Sequence, residues 1–148
     1  MQTIILDTGP LGLLAMRRGI PESDDCKDWL DHILTRGTRV IIPEIADYEL
    51  RRELLRLDRS ASVARLDRFC SVLEYLPLTT SVMRDAAGLW ALARREGRPT
   101  ADDKALDGDV ILAAQARSLG DAETLVATTN VGHLSRYVMA ALWRSIAA

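Results

Sequence analysis

Short apolar runs alternate along the chain with longer segments in which apolar residues recur at helical spacing. The short runs predict β-strands at residues 3–6, 39–42, 72–78 and 125–128. The helical spacing predicts helices at residues 25–34, 44–57, 60–71, 81–96 and 108–119, and residues 11–16 are also competent to form a helix. Short strands that alternate with amphipathic helices indicate an α/β fold with a mainly parallel sheet.

Capping and turn residues set the expected helix boundaries. Ser23 and Asp24 are suited to cap the helix at 25–34, and Pro43 is suited to open the helix at 44–57. A polar loop is expected at 97–105, and the next helix is expected to begin at Gly108. The tail at residues 137–146 is apolar enough to pack, but its pattern does not specify a secondary structure.

The length and the net charge of the chain limit the classes of protein to which it can belong. The chain has 148 residues, which fits a single domain spanning 1–148. Its formal net charge of -2 excludes a strongly basic nucleic-acid binder, and 5% aromatic residues argue against a wide base-stacking platform. The two cysteines form no metal or disulfide pattern. With no secretory signal and no apolar run of about 20 residues, we expect a cytoplasmic protein.

Three acidic positions are expected at the carboxyl edge of the sheet. Asp7 directly follows the first strand, and Glu49 lies at the edge of the apolar stripe of the helix at 44–57. Either Asp107 or Asp109 is expected to open the buried helix at 108–119. In parallel α/β sheets the functional crevice lies beyond the carboxyl ends of the strands, so these carboxylates are candidates for one site.

Each of these residues also has an ordinary structural explanation. Asp7 and Asp109 could serve as helix caps, and Glu49 could pair with Arg52 one turn along its helix. Asn130 follows Thr128 at the end of the last strand and could cap a turn there. If the carboxylates do converge, their charges repel unless a cation lies between them, and all-oxygen ligands suit Mg²⁺ or Mn²⁺. Such an ion suits phosphate chemistry.

Four motifs in this order resemble those of PIN-domain ribonucleases, most closely the VapC-type toxins of bacterial toxin–antitoxin systems. They are IILDTGPL, YELRREL, DGDVILAAQA and TTNVGHL, and the resemblance spans nearly the whole chain. It implies a three-layer α/β/α sandwich and endonucleolytic cleavage of RNA at a Mg²⁺ or Mn²⁺ site. Asp7, Glu49 and Asp109 match the family's three central acids, and Thr128 and Asn130 match its polar pair after the last strand.

The resemblance also implies a homodimer and a VapB-like antitoxin as partner. His133 stands where the family often has a further carboxylate, so the number of metal ions is left open. Asp107 is an additional candidate ligand, and Asp102 or Asp103 in the expected loop could also supply the missing charge.

Other classes of protein fit the sequence less well. Asp7-Thr8-Gly9 resembles the active-site turn of retropepsin-type proteases, but those are all-β, and a haloacid dehalogenase phosphatase needs an acid where Gly9 stands. The main alternative is a non-catalytic PIN-like module that binds RNA or protein. The arginine-rich segment 51–68 is either a solvated helix face or a rim that contacts phosphate or antitoxin beside Glu49.

Overall fold

The computed structural model describes residues 2–96, 103–120 and 123–147, in which five strands and six α-helices alternate. The strands are β1 (Thr3–Leu6), β2 (Arg39–Pro43), β3 (Glu74–Leu76), β4 (Thr124–Thr128) and β5 (Ala140–Leu142). The helices are α1 (Thr8–Ala15), α2 (Pro21–Thr35), α3 (Glu44–Arg56), α4 (Ser60–Val72), α5 (Thr80–Arg95) and α6 (Asp103–Ser118). Two single turns of 3₁₀ helix follow, at Leu134–Arg136 and Trp143–Ser145.

The strands form one parallel sheet in the order β3-β2-β1-β4-β5. Ile5 of β1 lies opposite Ile41 of β2 and Val126 of β4. Because successive strand residues point to opposite faces, the buried strands supply apolar side chains to both sides of the sheet. The predicted α/β fold with a mainly parallel sheet is confirmed, and β1 lies at its centre.

Helices cover both faces of this sheet, which confirms the three-layer arrangement. On one face Ile4, Leu6 and Val40 pack in a cluster with residues of α1, α2 and α4, including Leu14 and Ile33. On the other face the cluster contains residues of β1, β2, β4 and α6, namely Ile5, Ile41, Val126, Leu112 and Ala116. A further cluster joins α5 to α6 outside this layer.

Several predicted boundaries were wrong for local reasons. Helix α2 begins at Pro21, because proline fits the first helical position, where a backbone N–H is not needed. Ser23 therefore lies inside the helix, where its Oγ donates to the carbonyl of Leu13 at 2.7 Å, and Asp24 accepts from the N–H of Gly19. Strand β3 covers only Glu74–Leu76 of the seven residues predicted.

Towards the carboxyl end, the predicted start of one helix was also wrong, and the tail, for which no secondary structure was predicted, forms a strand. Helix α6 begins at Asp103 and continues through Gly108, so part of the expected loop is helical. The tail contains strand β5 and then turns back into the core, where Trp143 lies 5.7 Å from Trp29, centroid to centroid. Trp29 Nε1 donates to the carbonyl of Ile146 at 3.2 Å, which fixes the tail against α2.

A fully buried glutamine connects the two helices that carry Glu49 and Asp109. Helix α3 follows Pro43, whose side chain cannot cap it, so its first N–H groups need other acceptors. Gln115 of α6 supplies one, since its Oε1 accepts from the N–H of Ile45 at 3.2 Å. Its Nε2 donates to the carbonyl of Leu76 at 2.9 Å, which also ties α6 to β3.

Replacing Gln115 by Leu should therefore destabilise the protein strongly. The substitution leaves a backbone N–H and a backbone carbonyl buried without partners, at roughly 1–3 kcal/mol each. We expect the free energy of unfolding in urea to fall by about 2–4 kcal/mol. Ser118→Ala, which removes one local bond to the carbonyl of Gln115 on the same helix, is the control and should change it much less. Equal stability of Gln115→Leu and wild type would contradict this role.

Candidate active site

Asp7 lies at the point where the central strand gives way to the first helix. Its backbone N–H donates to the carbonyl of Ala127 in β4 at 2.9 Å, so the pairing of β1 with β4 continues to this residue. Its side chain then caps α1, with Oδ1 accepting from the N–H of Thr8 at 2.7 Å. Oδ2 accepts from the hydroxyl of Thr128 at 2.8 Å, and the two bonds fix the orientation of the carboxylate.

Glu49 reaches the same place from α3. Thr8 Oγ1 donates to Glu49 Oε1 at 3.2 Å, so Thr8 contacts Asp7 with its backbone and Glu49 with its side chain. Arg52 Nη2 lies 3.9 Å from Glu49 Oε2, the helical pair expected from the sequence. The Glu49 side chain is 25% exposed, whereas that of Arg52 is 54% exposed, so the carboxylate is the more enclosed partner.

Asp109 approaches from α6, but it does not open that helix as expected. It is the seventh residue of α6, and Gly108 lies inside the helix. The glycine is needed because a Cβ atom there would lie 2.6 Å from Glu49 Oε2. A residue that normally weakens a helix is therefore the one that lets α6 approach the carboxylate of α3.

The pKa values show that the three acids share one electrostatic environment. Burial raises the pKa of Asp7, although hydrogen bonds from Thr128 and Thr8 act in the opposite direction. Burial also raises the pKa of Glu49, and the charge of Asp7 adds to the effect. For Asp109, burial and then the charges of Asp7 and Glu49 raise the pKa to about 6. The structure thus brings these three carboxylates together at the carboxyl edge of the sheet.

The other predicted site residues have different positions. Thr128 is buried and holds Asp7, but Asn130 is exposed and its Oδ1 accepts from the N–H of Gly132 at 3.0 Å, which is the turn role considered from the sequence. Asp107 is exposed on the opposite side of α6 beside Met83 and Trp90, at a cavity of about 370 Å³, so it does not join the three acids.

The remaining alternatives give no further ligand here. His133 begins the 3₁₀ turn at Leu134–Arg136, and its side chain makes no cap there. Asp102 lies outside the described residues, and Asp103 is the first residue of α6, with a side chain outside the description.

The donor set fits a hard divalent cation in its chemistry. Carboxylate oxygens are the preferred ligands of Mg²⁺ and Mn²⁺, and three partly buried acids with raised pKa values are those whose repulsion a cation would relieve. Within residues 2–96, 103–120 and 123–147, however, no three His, Cys, Asp or Glu side chains are already grouped as metal ligands. The three acids lie near one another, but their carboxylate groups are not arranged as a complete set of metal ligands.

Sequence reasoning missed three residues that support this site. Thr8 bridges two acids, Gln115 connects their helices, and Thr129 packs against Gly9 so tightly that a Cβ at Gly9 would lie 2.4 Å from Thr129 Oγ1. A glutamine inside the apolar stretch 110–116 was a readable signal for Gln115, because buried amides need partners. No comparable signal marked Thr8 or Thr129, whose contacts come from distant parts of the chain.

Comparison with known proteins agrees with this fold. Residues 4–137 match the model of the PIN domain family, and the chain belongs to that family. The resemblance to PIN-domain proteins is thereby confirmed. No curated protein matches the chain in sequence.

Several solved structures contain a chain with the same fold. A chain of VapBC2 from Rickettsia felis, bound to a DNA fragment from its promoter, aligns with a TM-score of 0.72 at 16% identity, covering 96% of this chain and 99% of that one. A chain of DNA-bound VapBC from Salmonella typhimurium aligns with a TM-score of 0.72 at 20% identity, covering 97% and 99%. A chain of FitAcB from Neisseria gonorrhoeae gives 0.68 at 20% identity, also covering 97% and 99%.

None of the helices in the described ranges has the length and apolar character needed to cross a bilayer.

Replacing Gly108 by Ala should disturb the site without disturbing the fold. The new methyl group meets the end of the flexible Glu49 side chain, which can rotate away at little cost in stability. Since this moves a carboxylate out of the site, we expect Mn²⁺ affinity, measured by calorimetry, to fall about 10–100-fold. Gly88→Ala in α5, where a Cβ meets open space, is the control and should leave Mn²⁺ affinity unchanged. Unchanged affinity in Gly108→Ala would show that Glu49 is not a ligand.

Proposed function

We propose that the chain is a metal-dependent endoribonuclease that acts as the toxin of a toxin–antitoxin pair. The observation that carries this proposal is the convergence of Asp7, Glu49 and Asp109 from three elements on one partly buried site. Membership of the PIN domain family and the fold shared with chains of VapBC assemblies support it.

Asp7, Glu49 and Asp109 would hold Mg²⁺ or Mn²⁺ in this proposal. When bound, such an ion screens the charge of the RNA phosphate and lowers the pKa of water. Thr128 and the N–H of Thr8 hold the Asp7 carboxylate in place, and the Thr8 hydroxyl holds Glu49. Thr128 is therefore a positioning residue for Asp7, and Asn130 shapes the turn that follows it.

A second candidate function is a PIN-like module that binds RNA or protein without cutting RNA. The observation in its favour is that the three acids, within the described part of the chain, are not yet grouped as metal ligands. Binding of Mn²⁺ together with RNA cleavage separates the two functions, since a binding module needs neither.

The partners in this proposal are RNA as substrate and a VapB-like antitoxin as inhibitor. A cavity of about 220 Å³ between α1, α2 and α4 is a suitable surface for an antitoxin segment. Its lining includes Leu14, Leu30 and Phe69, and its basic side chains include Lys27 and Arg65. An antitoxin arginine that enters the acidic site would pair with the carboxylates and block the metal.

The proposal also includes a homodimer. Trp143 of the apolar tail is not available for its interface, because that residue is 4% exposed and packs inside its own chain. Met83 and Trp90 on α5 are exposed apolar side chains beside the cavity between α5 and α6, and they suit a contact between two copies better.

Expression in a bacterial host tests the function as a toxin. We expect wild type to arrest growth, and we expect relief when the gene next to it in its genome is expressed with it. Glu49→Gln should relieve arrest because it removes a ligand charge, whereas Glu53→Gln should remain toxic because Glu53 is exposed and pairs with Arg56 on the surface of α3. If wild type and Glu49→Gln are equally harmless at matched soluble levels, the toxin function is rejected and the binding module is favoured.

A further inference from the structure

The three arginines on α3 differ in what they already contact. Arg51 pairs with Asp47 at 2.9 Å and with Asp67 at 2.7 Å, and Arg56 pairs with Glu53. Arg52, by contrast, makes no side-chain hydrogen bond to any other described residue, and its ion pair with Glu49 is long, at 3.9 Å, with the Arg52 side chain 54% exposed. Of the three arginines on α3, Arg52 is therefore the one whose donors are available to a phosphate.

An exposed aromatic residue lies under this guanidinium. The Arg52 Cζ atom is 5.0 Å from the centroid of the Tyr48 ring. Tyr48 directly precedes Glu49 in the chain, and its side chain is 55% exposed. The other two tyrosines of the chain, Tyr75 and Tyr137, are both partly buried, so Tyr48 is the most exposed of the three. A solvent-exposed ring beside an available cation at the edge of the acidic site is a surface that nucleic acids recognise.

We propose that Tyr48 and Arg52 form a nucleotide-binding element at the rim of the site. A base of single-stranded RNA extends the stack of the Arg52 guanidinium on the Tyr48 ring, and Arg52 donates to a neighbouring phosphate oxygen in place of its contact with Glu49. The stack tolerates any base because every base has a π face, so the element positions the strand rather than reading its sequence. This inference rests on the proposed function, which makes RNA the substrate.

The test measures RNA binding in a variant whose cleavage of RNA is strongly reduced. Asp7→Asn is the parent, and a fluorescein-labelled single-stranded RNA of about twelve nucleotides is the probe in fluorescence anisotropy. Tyr48→Ala and Arg52→Ala should each weaken binding by about 5–100-fold, as loss of one stacked base does. Tyr48→Phe keeps the ring and should bind within about twofold of the parent.

The salt dependence separates the two contributions, and Arg56→Ala is the matched control. Arg52→Ala should reduce the slope of log affinity against log salt by about 0.7, because one phosphate contact is lost, whereas Tyr48→Ala should leave the slope unchanged. Arg56 is exposed on the same helix and already paired with Glu53, so its removal should change neither affinity nor slope. Circular dichroism melts check that each variant is folded.

The outcomes distinguish this inference from the proposed function. If wild type cleaves RNA but Tyr48→Ala and Arg52→Ala bind like the parent, the element is rejected and the nuclease stands. If the variants lose affinity but wild type does not cleave RNA in Mn²⁺, the element stands and the nuclease is rejected. Absence of RNA binding by the parent, or weakened antitoxin binding with unchanged RNA affinity, overturns the element.

Discussion

Replacing Asp7 by Asn should reduce RNA cleavage by about 10²–10³-fold while leaving the protein folded. The amide keeps the size of the side chain and an oxygen that can accept from the N–H of Thr8. Its NH₂ group can donate to the Thr128 hydroxyl, which is able to turn and accept. The variant therefore loses the ligand charge but keeps its local hydrogen bonds. Cleavage of a labelled RNA in Mn²⁺, with and without EDTA, measures the effect.

Asp107→Asn is the matched control for this experiment. It removes an aspartate from the same part of the chain as Asp109, but from an exposed position next to Met83 and Trp90. We expect its activity to equal that of wild type, which would also exclude Asp107 as an additional ligand. Undiminished cleavage in EDTA, or in purified Asp7→Asn, would contradict a metal-dependent reaction at these acids.

The sequence predicted the sheet and the position of Asp7 well because both depend on local patterns. Apolar runs of four or five residues between amphipathic helices leave few arrangements other than a parallel sheet. A polar residue directly after such a run must then lie at the carboxyl edge, as Asp7 and Thr128 do. The position of Glu49 was predicted by the same reasoning, because the edge of the apolar stripe of α3 faces the neighbouring helices.

The sequence predicted the surroundings of the acids poorly because those depend on contacts between distant segments. Gly108 resembled a helix boundary, since glycine weakens helices, yet its place inside α6 is explained by the 2.6 Å approach to Glu49. Pairing with β4 explains β5, a strand of three residues that is too short to show a pattern. In both cases tertiary packing outweighed the local preference.

In the absence of metal, the three acids should lower the stability of the protein as the pH rises from about 4 to 7. Asp109 has an ordinary pKa of 3.8 when unfolded and a pKa of about 6 in the folded protein, so the folded state binds more protons in this window. The free energy of unfolding therefore falls as the pH rises, and the fall is complete once the pH is above the folded pKa of Asp109. The raised pKa values of Asp7 and Glu49 act in the same direction.

The size of this loss of stability follows from the shift in the pKa of Asp109. The loss is smaller than the full shift implies, because Asp109 is partly exposed. A shift of one pKa unit corresponds to about 1.4 kcal/mol, so Asp109 should cost about 1–3 kcal/mol at pH 8 relative to pH 4. Melting temperatures in EDTA from pH 4 to pH 8 measure it. Other carboxylates also titrate here, and Glu74 has a lowered pKa of opposite effect, so the difference between wild type and Asp109→Asn is the informative quantity.

Asp109→Asn should melt at a temperature about 2–10 °C higher than wild type at pH 8 without metal, and the difference should vanish near pH 4. Adding Mn²⁺ at pH 8 should raise the melting temperature of wild type and leave that of the variant nearly unchanged, because only wild type keeps the full set of charges. Asp107→Asn should follow wild type throughout. A difference that is constant from pH 4 to pH 8 would mean that Asp109 does not share the charges of Asp7 and Glu49, and the three acids would then not constitute one site.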